Sequence, residues 1–133
     1  MTNFLDSNIW IYALNQSQDI RKHKIANRLA TQTGLYLSTQ VINEVCVNLI
    51  KKGNFSENQI QNLIQGFYQI HHIIEIDLNI LLTASTLRTK YLFSFWDSLI
   101  IASALSVNVN QLYSEDMQHG FTVEGLQIIN PFL

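Results

Sequence analysis

Short apolar runs alternate along the chain with longer segments in which apolar residues recur at helical spacing. The short runs predict five strands, over Phe4-Leu5, Leu35–Leu37, His72–Ile76, Gln111–Tyr113 and Gln127–Ile129. The run that begins at His72 is rich in β-branched residues, which favour strands over helices. Only one proline is present, Pro131, and no linker or repeat divides these elements.

The longer segments predict six helices. They are expected over Asn8–Leu14, Arg21–Thr31, from Ser38 or Thr39 to about Lys52, after a cap at Ser56, over Asp77–Lys90 and over Trp96–Val107. Strands that alternate with helices predict a parallel sheet that is covered on both faces. In such sheets ligands bind beyond the carboxyl ends of the strands, so functional residues should follow strands or begin helices.

Composition fits one domain over residues 1–133. Of the 133 residues, 47% are hydrophobic and 14% are charged, which excludes a disordered chain. A disulfide scaffold is excluded because Cys46 is the only cysteine, and a single thiol is ordinary in a reducing compartment. So few charges leave apolar surface that is hard to cover, so we expect a second subunit or a partner protein.

The formal net charge is −2, which by itself gives no reason to expect a nucleic-acid partner. No apolar run reaches the roughly 18 residues of a membrane helix. The N-terminus lacks the basic and apolar regions of a secretion signal. We therefore expect a soluble cytoplasmic protein with no membrane association.

Several acids stand where the sheet rule places a site. Asp6 follows the first strand, Glu115 and Asp116 follow the strand that ends at Tyr113, and Asp97 opens the most apolar helix. Each has an alternative interpretation, since Asp6 and Asp97 can be helix N-caps and Glu115-Asp116 can form a solvated turn. Converging like charges repel unless a cation holds them, and hard divalent cations prefer such oxygen ligands.

Asp97 is the sharpest of these observations. It is the only charged residue between Lys90 and Glu115, and aromatic and aliphatic residues surround it. A carboxylate in such a setting is costly unless it is paired or bound to a metal. Glu44, in contrast, points away from the centre of the apolar stripe of its helix, so periodicity predicts only a solvent-facing glutamate.

Four short motifs contain these acids. They are Phe-Leu-Asp-Ser-Asn at 4–8, Ser-Thr-Gln-Val-Ile-Asn-Glu at 38–44, Phe-Trp-Asp-Ser-Leu-Ile-Ile-Ala at 95–102 and Leu-Tyr-Ser-Glu-Asp-Met-Gln-His-Gly at 112–120. In this order they resemble the motifs of the PIN-domain family, most of all those of the VapC-type toxin ribonucleases. Each motif is weak alone, but together they span the chain.

The resemblance implies a single PIN domain over residues 1–133, folded as a three-layer α/β/α sandwich with a central parallel sheet. It implies an endoribonuclease that depends on Mg²⁺ or Mn²⁺. Residue by residue, it assigns the catalytic and metal-binding acids to Asp6, Glu44, Asp97 and Asp116. Supporting hydrogen bonds would come from Ser7 or Asn8 and from Ser114, and the adjacent Glu115 is the alternative fourth acid.

The implied partners are an RNA substrate, an antitoxin protein and a second copy of the chain. The basic clusters Arg21–Lys24 and Lys51-Lys52 are candidate phosphate-binding rims, although such runs are usually solvated faces. His119 is interpreted as a surface turn residue. If four of the ten acids hold metal, the remaining charges are net positive, which removes the argument against RNA.

Three other functions are consistent with parts of the pattern. One is a catalytically inactive PIN-like module that binds RNA or protein, although all four acids are present. Another is a PIN nuclease for DNA or for ribosomal RNA processing. The third is an unrelated flavodoxin-like binding domain, which the lack of a glycine-rich loop after the first strand disfavours.

Overall fold

A computed structural model describes residues 2–15 and 19–133 of the chain. The described strands are β1 (Asn3–Leu5), β2 (Tyr36–Ser38), β3 (His72–Ile74), β4 (Gln111–Tyr113), β5 (Thr122–Val123) and β6 (Leu126–Ile129). The described helices are α1 (Ser7–Leu14), α2 (Ile20–Ala30), α3 (Thr39–Lys51), α4 (Glu57–Ile70), α5 (Leu78–Lys90) and α6 (Phe95–Ser106). The alternation of strands and helices predicted from the apolar pattern is confirmed.

The strands form one sheet in the order β3-β2-β1-β4-β6-β5. All neighbouring strands are parallel except β5, which pairs antiparallel with β6. Phe4 and Leu5 of β1 are both fully buried although they point to opposite faces, so both faces of the central strand are covered. The predicted α/β architecture with a central, mostly parallel sheet is therefore confirmed.

The connections explain how helices come to lie on both faces. The chain steps outward from β1 to β2 to β3 through α1 to α4, then returns across the sheet to β4 through α5 and α6. Because parallel crossovers are right-handed, steps in opposite directions place their helices on opposite faces. The contacts agree, since α1 packs on α2 and α3, α3 packs on α4, and α5 packs on α6.

The chain continues to one side of the sheet after β1 and to the other side after β4. The crevice between these two strands, where the strand order reverses, is the switch point of the sheet. These strands are adjacent and parallel, and their pairing continues one residue further, where the Asp6 N–H donates to the Tyr113 carbonyl at 2.9 Å. The residues that follow β1 and β4 therefore meet at one edge of the sheet. Open α/β sheets bind ligands at this kind of crevice.

Helix α6 is the most enclosed helix. Every residue from Ser98 to Ala104 is buried, so its apolar character all round reflects a central position. Inside the helix, the Ser103 hydroxyl donates to the Leu99 carbonyl at 2.8 Å, which satisfies a buried polar group. In the part of the chain that the structure describes, no helix has the length and apolar character to cross a bilayer.

Two strand predictions need correction. Strand β3 ends at Ile74 rather than Ile76, because Asp77 already caps α5 by accepting from the Ile80 N–H. Strand β5 is missing from the sequence prediction, and it pairs with β6 through a turn at Glu124-Gly125. Both turn residues have positive φ, 50° and 89°, as a two-residue hairpin requires.

Candidate active site

Asp6 is placed by the end of β1 and the start of α1. Its Oδ1 accepts from the Ser7 N–H at 2.7 Å, so its predicted role as a helix N-cap is confirmed. Its Oδ2 accepts from the Ser114 hydroxyl at 2.7 Å, and only 4% of the residue is exposed. The pKa of Asp6 is raised to about 6, mainly by burial and also by the nearby carboxylates of Glu44 and Asp97, although the hydrogen bonds from Ser114 and Ser7 lower it.

Ser114 and Asn8 join the residues that follow the two central strands. The fully buried Ser114 hydroxyl donates to Asp6 and accepts from the Asp116 N–H at 3.2 Å. The Asn8 side chain accepts from the Glu115 N–H and donates to Asp116 Oδ2, both at 3.1 Å. The start of α1 is thereby fixed to the loop after β4, which holds Asp6 and Asp116 in a common framework.

Asp97 lies in the first turn of α6, but it is not the N-cap. Ser94 is the cap, and its hydroxyl accepts from the Asp97 N–H at 3.1 Å, so the cap interpretation of Asp97 is wrong. The Asp97 carboxylate is therefore free of the capping role and half-buried at the start of the helix. Burial raises the pKa of Asp97, and the carboxylate of Asp116 raises it further.

Glu44 reaches the same edge from the first half of α3. The residue is exposed, as its periodicity predicts, but its carboxylate accepts hydrogen bonds from the Ser7 and Gln40 side chains. Partial burial of the carboxyl group raises the pKa of Glu44, and the carboxylates of Asp97 and Asp116 raise it further. Glu44 is therefore both exposed to solvent and part of the same site.

Glu115 points away from these acids. Its Oε2 lies 2.9 Å from Lys22 Nζ, and its Oε1 accepts from the Tyr12 hydroxyl at 3.0 Å. Asp116, held by Asn8, is the neighbour that acts electrostatically on Glu44 and Asp97. Of the two adjacent acids, the geometry favours Asp116 as the member of the site.

We call Asp6, Glu44, Asp97 and Asp116 the acidic group. Three members have a raised pKa, and other members contribute to each shift, so these carboxylates repel one another across one edge of the sheet. Oxygen ligands of this kind suit Mg²⁺, which would relieve the repulsion. Among residues 2–15 and 19–133, however, no three acid, histidine or cysteine side chains converge as a metal centre. The donor chemistry fits a divalent cation, but the side chains would have to move to enclose one.

Comparison with known proteins identifies the family. The family model of the PIN domain matches residues 4–120, a range that includes the whole acidic group. The chain belongs to the PIN-domain family. No curated protein has significant sequence similarity to it over any part of its length.

Solved structures with the same fold are toxin proteins and their complexes. A toxin–antitoxin complex from Klebsiella pneumoniae has a chain with 22% identity and a TM-score of 0.71, with 98% of each chain covered. VapC20 of Mycobacterium tuberculosis, a toxin that cleaves the sarcin–ricin loop, has 17% identity and a TM-score of 0.65, with 84% of this chain and 87% of that chain covered. VapBC2 of Rickettsia felis, bound to promoter DNA, has 22% identity and a TM-score of 0.66, with 96% and 97% covered. At these identities the likeness shows the PIN fold.

Three cavities open around the acidic group of this PIN domain. One of about 460 Å³ lies between the starts of α3 and α6 and is lined by Glu44 and Trp96 among others. A second of about 460 Å³ extends from Ser7 and Glu44 to Lys51 and Lys52. A third, of about 380 Å³, is lined by Asp97, Asp116 and the aromatic residues near Phe121. The acids therefore lie between concave surfaces with both apolar and basic linings.

The two basic clusters have different surroundings. Lys51 and Lys52 line the cavity that begins at Glu44, as a phosphate-binding rim would. Lys22 is committed to Glu115, and Arg21 donates to the Phe132 carbonyl at 2.6 Å. Of the two candidate rims in the sequence, the structure favours the lysine pair on α3.

Some residues near the site were missed in the sequence. Tyr12 carries no motif signal, yet its hydroxyl holds Glu115 away from the acids. Arg88 donates to the buried Ser98 hydroxyl at 2.7 Å and lies 4.3 Å from the centre of the Phe95 ring, which braces the start of α6. His119 is exposed, as predicted, and its ring nitrogen accepts from the Asn130 N–H. These contacts join distant segments, so spacing along the chain contains no sign of them.

Proposed function

We propose that this PIN domain is a divalent-metal-dependent endoribonuclease and the toxin of a toxin–antitoxin pair. The observation that carries the proposal is the acidic group, four carboxylates at the switch point of the sheet, which raise the pKa of Asp6, Glu44 and Asp97 beyond the effect of burial. Acids that repel one another so close to cavities are typical of a site that acts on a ligand rather than of a structural feature.

Mg²⁺ or Mn²⁺ bound by Asp6, Glu44, Asp97 and Asp116 would supply a water of lowered pKa and charge neutralisation at the phosphate. The chain's own residues prepare that site. Ser7 and Ser114 donate to Asp6 and fix the orientation of its carboxylate, while Asn8 does the same for Asp116. Hydrogen-bonded partners of this kind orient metal ligands and tune their affinity.

The proposed partners are RNA, an antitoxin protein and a second copy of the chain. Two of the reported structures with the same fold come from toxin–antitoxin complexes, and the third, VapC20, is described as a toxin that cleaves the sarcin–ricin loop. The lysine pair beside Glu44 provides positive charge for an RNA backbone. Exposed leucines on α5 provide an apolar surface for self-association.

One observation favours a second candidate function, a catalytically inactive PIN module that binds RNA or protein. Within the described ranges no three potential ligands already form a metal centre. If the side chains do not close around a cation, the carboxylates would remain a repulsive cluster without hydrolytic chemistry. The two candidates differ in one respect, which is whether divalent cations bind and are required for cleavage.

The test incubates purified protein and structured RNA with Mg²⁺, with Mn²⁺ or with EDTA. The wild type is compared with Asp6→Asn and Asp97→Asn, which keep side-chain size and remove one negative charge each. We expect cleavage with either cation, none in EDTA, and a loss of at least about a hundredfold in both variants. Fragments are resolved on denaturing gels.

The matched control is Asp77→Asn. Asp77 is an exposed helix N-cap on α5, outside the acidic group, so its replacement should leave cleavage unchanged. Cleavage that persists in EDTA, or in both site variants, would contradict the metal-dependent nuclease. RNA binding by the wild type without cleavage under any cation would favour the inactive module.

A further inference from the structure

The two tryptophans of the chain have opposite environments. Trp10 is 3% exposed, and its indole N–H donates to the Leu5 carbonyl. Trp96 is 62% exposed at the start of α6, directly before Asp97 of the acidic group. Trp96 also lines a cavity, and ligand sites are concave surfaces lined by aromatic side chains and a few polar groups.

The cavity beside Trp96 combines one aromatic surface with polar groups. It is lined by Thr39, Gln40, Asn43, Glu44, Ile76 and Trp96, and its volume is about 460 Å³. The Gln40 amide donates to the Trp96 carbonyl at 3.4 Å, which connects the two helices that form the walls. The exposed Asn43 amide can donate and accept at the rim of the cavity.

Phe95 holds Trp96 in a defined position. The two rings pack edge to face with centres 5.3 Å apart. Phe95 also contacts the Arg88 guanidinium, which lies 4.3 Å from the centre of the Phe95 ring. Phe95 is itself 51% exposed but does not line the cavity, so the aromatic surface at the cavity belongs to Trp96.

We propose that this cavity binds one unpaired nucleobase of single-stranded RNA, stacked on Trp96, beside the phosphodiester at the acidic group. The inference rests on the proposed function and names the substrate class, which is RNA with an unstacked base next to the cleavage position. Glu44 lines the cavity and belongs to the acidic group, so a base in the cavity places its phosphate next to the acids.

The chemistry of the lining favours a nucleobase over a protein side chain. Proteins recognise single-stranded RNA by stacking its unpaired bases on aromatic rings and by hydrogen-bonding to their edges. Trp96 offers the stacking surface, the Gln40 side-chain oxygen offers an acceptor, and the Asn43 amide offers donors and an acceptor for a base edge. An apolar protein surface would leave the Gln40 oxygen and the Asn43 amide without partners at the cavity.

The test uses the fluorescence of Trp96 in the full chain. A short single-stranded RNA is titrated into the protein in Ca²⁺, and a gel confirms that the RNA stays intact. A second titration uses an oligonucleotide of the same length with abasic residues, which keeps the backbone charge and removes the bases. We expect quenching by the RNA and little quenching by the abasic chain, since the other tryptophan is buried.

Variants connect the signal to the cavity. Trp96→Ala should weaken RNA binding by about 5- to 150-fold, measured by anisotropy of a labelled RNA, because base stacking contributes about 1–3 kcal/mol. Trp96→Phe should restore most of the affinity. The matched control Tyr68→Ala removes an aromatic residue of α4 that is 49% exposed and lines none of the three cavities, so it should bind as the wild type does.

The outcomes separate this inference from the proposed function. Base-dependent quenching without cleavage in Mg²⁺ would support the nucleobase site and contradict the nuclease. Cleavage with equal quenching by both oligonucleotides, or with unchanged RNA affinity in Trp96→Ala, would overturn the nucleobase site. Conversion of a dimer to a monomer by Trp96→Ala, with RNA affinity retained, would assign the cavity to a subunit interface and likewise overturn it.

Discussion

At the scale of single residues, Asp6 combines a structural and a chemical role. Its Oδ1 caps α1, which is predictable from sequence because the aspartate stands directly before a helical segment. Its Oδ2 is held by Ser114, which is 108 positions away, and no local pattern indicates this partner. The capping contact of Asp6 can be predicted from the sequence, whereas its contact with Ser114 depends on the fold.

Replacement of Asp6 by asparagine should stabilise the folded chain at neutral pH in EDTA. Burial raises the pKa of Asp6 from 3.8 to about 6, so the native state holds this proton more tightly than the unfolded state does. The contribution of Asp6 to the stability of the wild type therefore falls as the pH rises from about 4 to about 6. Asp6→Asn removes the buried charge, so we expect a gain of roughly 1–3 kcal/mol at pH 7.5, measured by urea denaturation.

The pH dependence makes this prediction specific. The gain should shrink as the pH is lowered through 6 and be absent near pH 4, where the wild-type carboxyl group is protonated. The control Asp77→Asn changes an exposed N-cap of the same type and should leave unfolding unchanged at every pH. A destabilised Asp6→Asn, or a gain independent of pH, would contradict the environment described for Asp6.

The helical pattern around Glu44 predicts its exposure but not which residues lie near it. Helical periodicity places it off the apolar stripe of α3, and its exposure agrees with that placement. Its proximity to Asp97 and Asp116 arises because α3, α6 and the loop after β4 meet at the switch point. Only the resemblance of residues 38–44 to a PIN motif indicated a role for Glu44 before the fold was known.

At the scale of elements, the exact position at which a helix begins decides where a site residue such as Asp97 lies. The helix over residues 96–107 was predicted from its apolar character, but the exact start at Phe95 depends on the Ser94 cap. With Ser94 as the cap, Asp97 lies in the first turn of the helix rather than at the cap position. The β5–β6 hairpin was missed because Glu-Gly at 124–125 is a weaker turn signal than Asn-Gly or Asp-Gly.

Removal of the Ser94 cap should weaken both the fold and the site. The Ser94 hydroxyl accepts from the Asp97 N–H, so Ser94→Ala should cost about 1 kcal/mol in the free energy of unfolding. The same hydroxyl lowers the pKa of Asp97, which helps to keep this carboxylate charged. We expect Mg²⁺-dependent cleavage to fall by about tenfold as well, as is usual for groups that orient a metal ligand.

Ser56→Ala separates these two effects. Ser56 caps α4 in a reciprocal arrangement with Gln59, so its loss should cost a similar amount of stability. Because α4 contributes none of the acids, cleavage should stay at the wild-type rate at a temperature where both variants remain folded. Equal loss of cleavage in the two variants would show that the Ser94 effect reflects stability alone.

At the scale of the whole molecule, the switch point brings the acids together. Asp6 and Asp116 follow adjacent parallel strands, and α6 returns across the sheet to bring Asp97 to the same edge. The alternation of elements predicts a parallel sheet from sequence, but it leaves the strand order open. The order is decided by long-range packing, such as that of Phe4 and Leu112, which pair across β1 and β4.

The low content of charged residues leaves a stripe of exposed leucines on the surface of α5. Leu78, Leu81 and Leu82 are 69%, 48% and 58% exposed, and their spacing of three and four residues places them on one face of the helix. A second copy of the chain would bury this stripe, which fits the proposed homodimer. Burial of one leucine contributes about 1.5–3 kcal/mol, so several leucines on each side can support association.

We therefore expect the wild type to sediment as a dimer at micromolar concentration and Leu82→Lys to sediment as a monomer. A lysine in the stripe would bury an unpaired charge in the interface, whereas it meets only water in the monomer. The control Gln61→Lys adds the same charge at an exposed position of α4 and should leave the dimer intact. A monomeric wild type, or a dimer unaffected by Leu82→Lys, would show that this stripe does not join two copies of the chain.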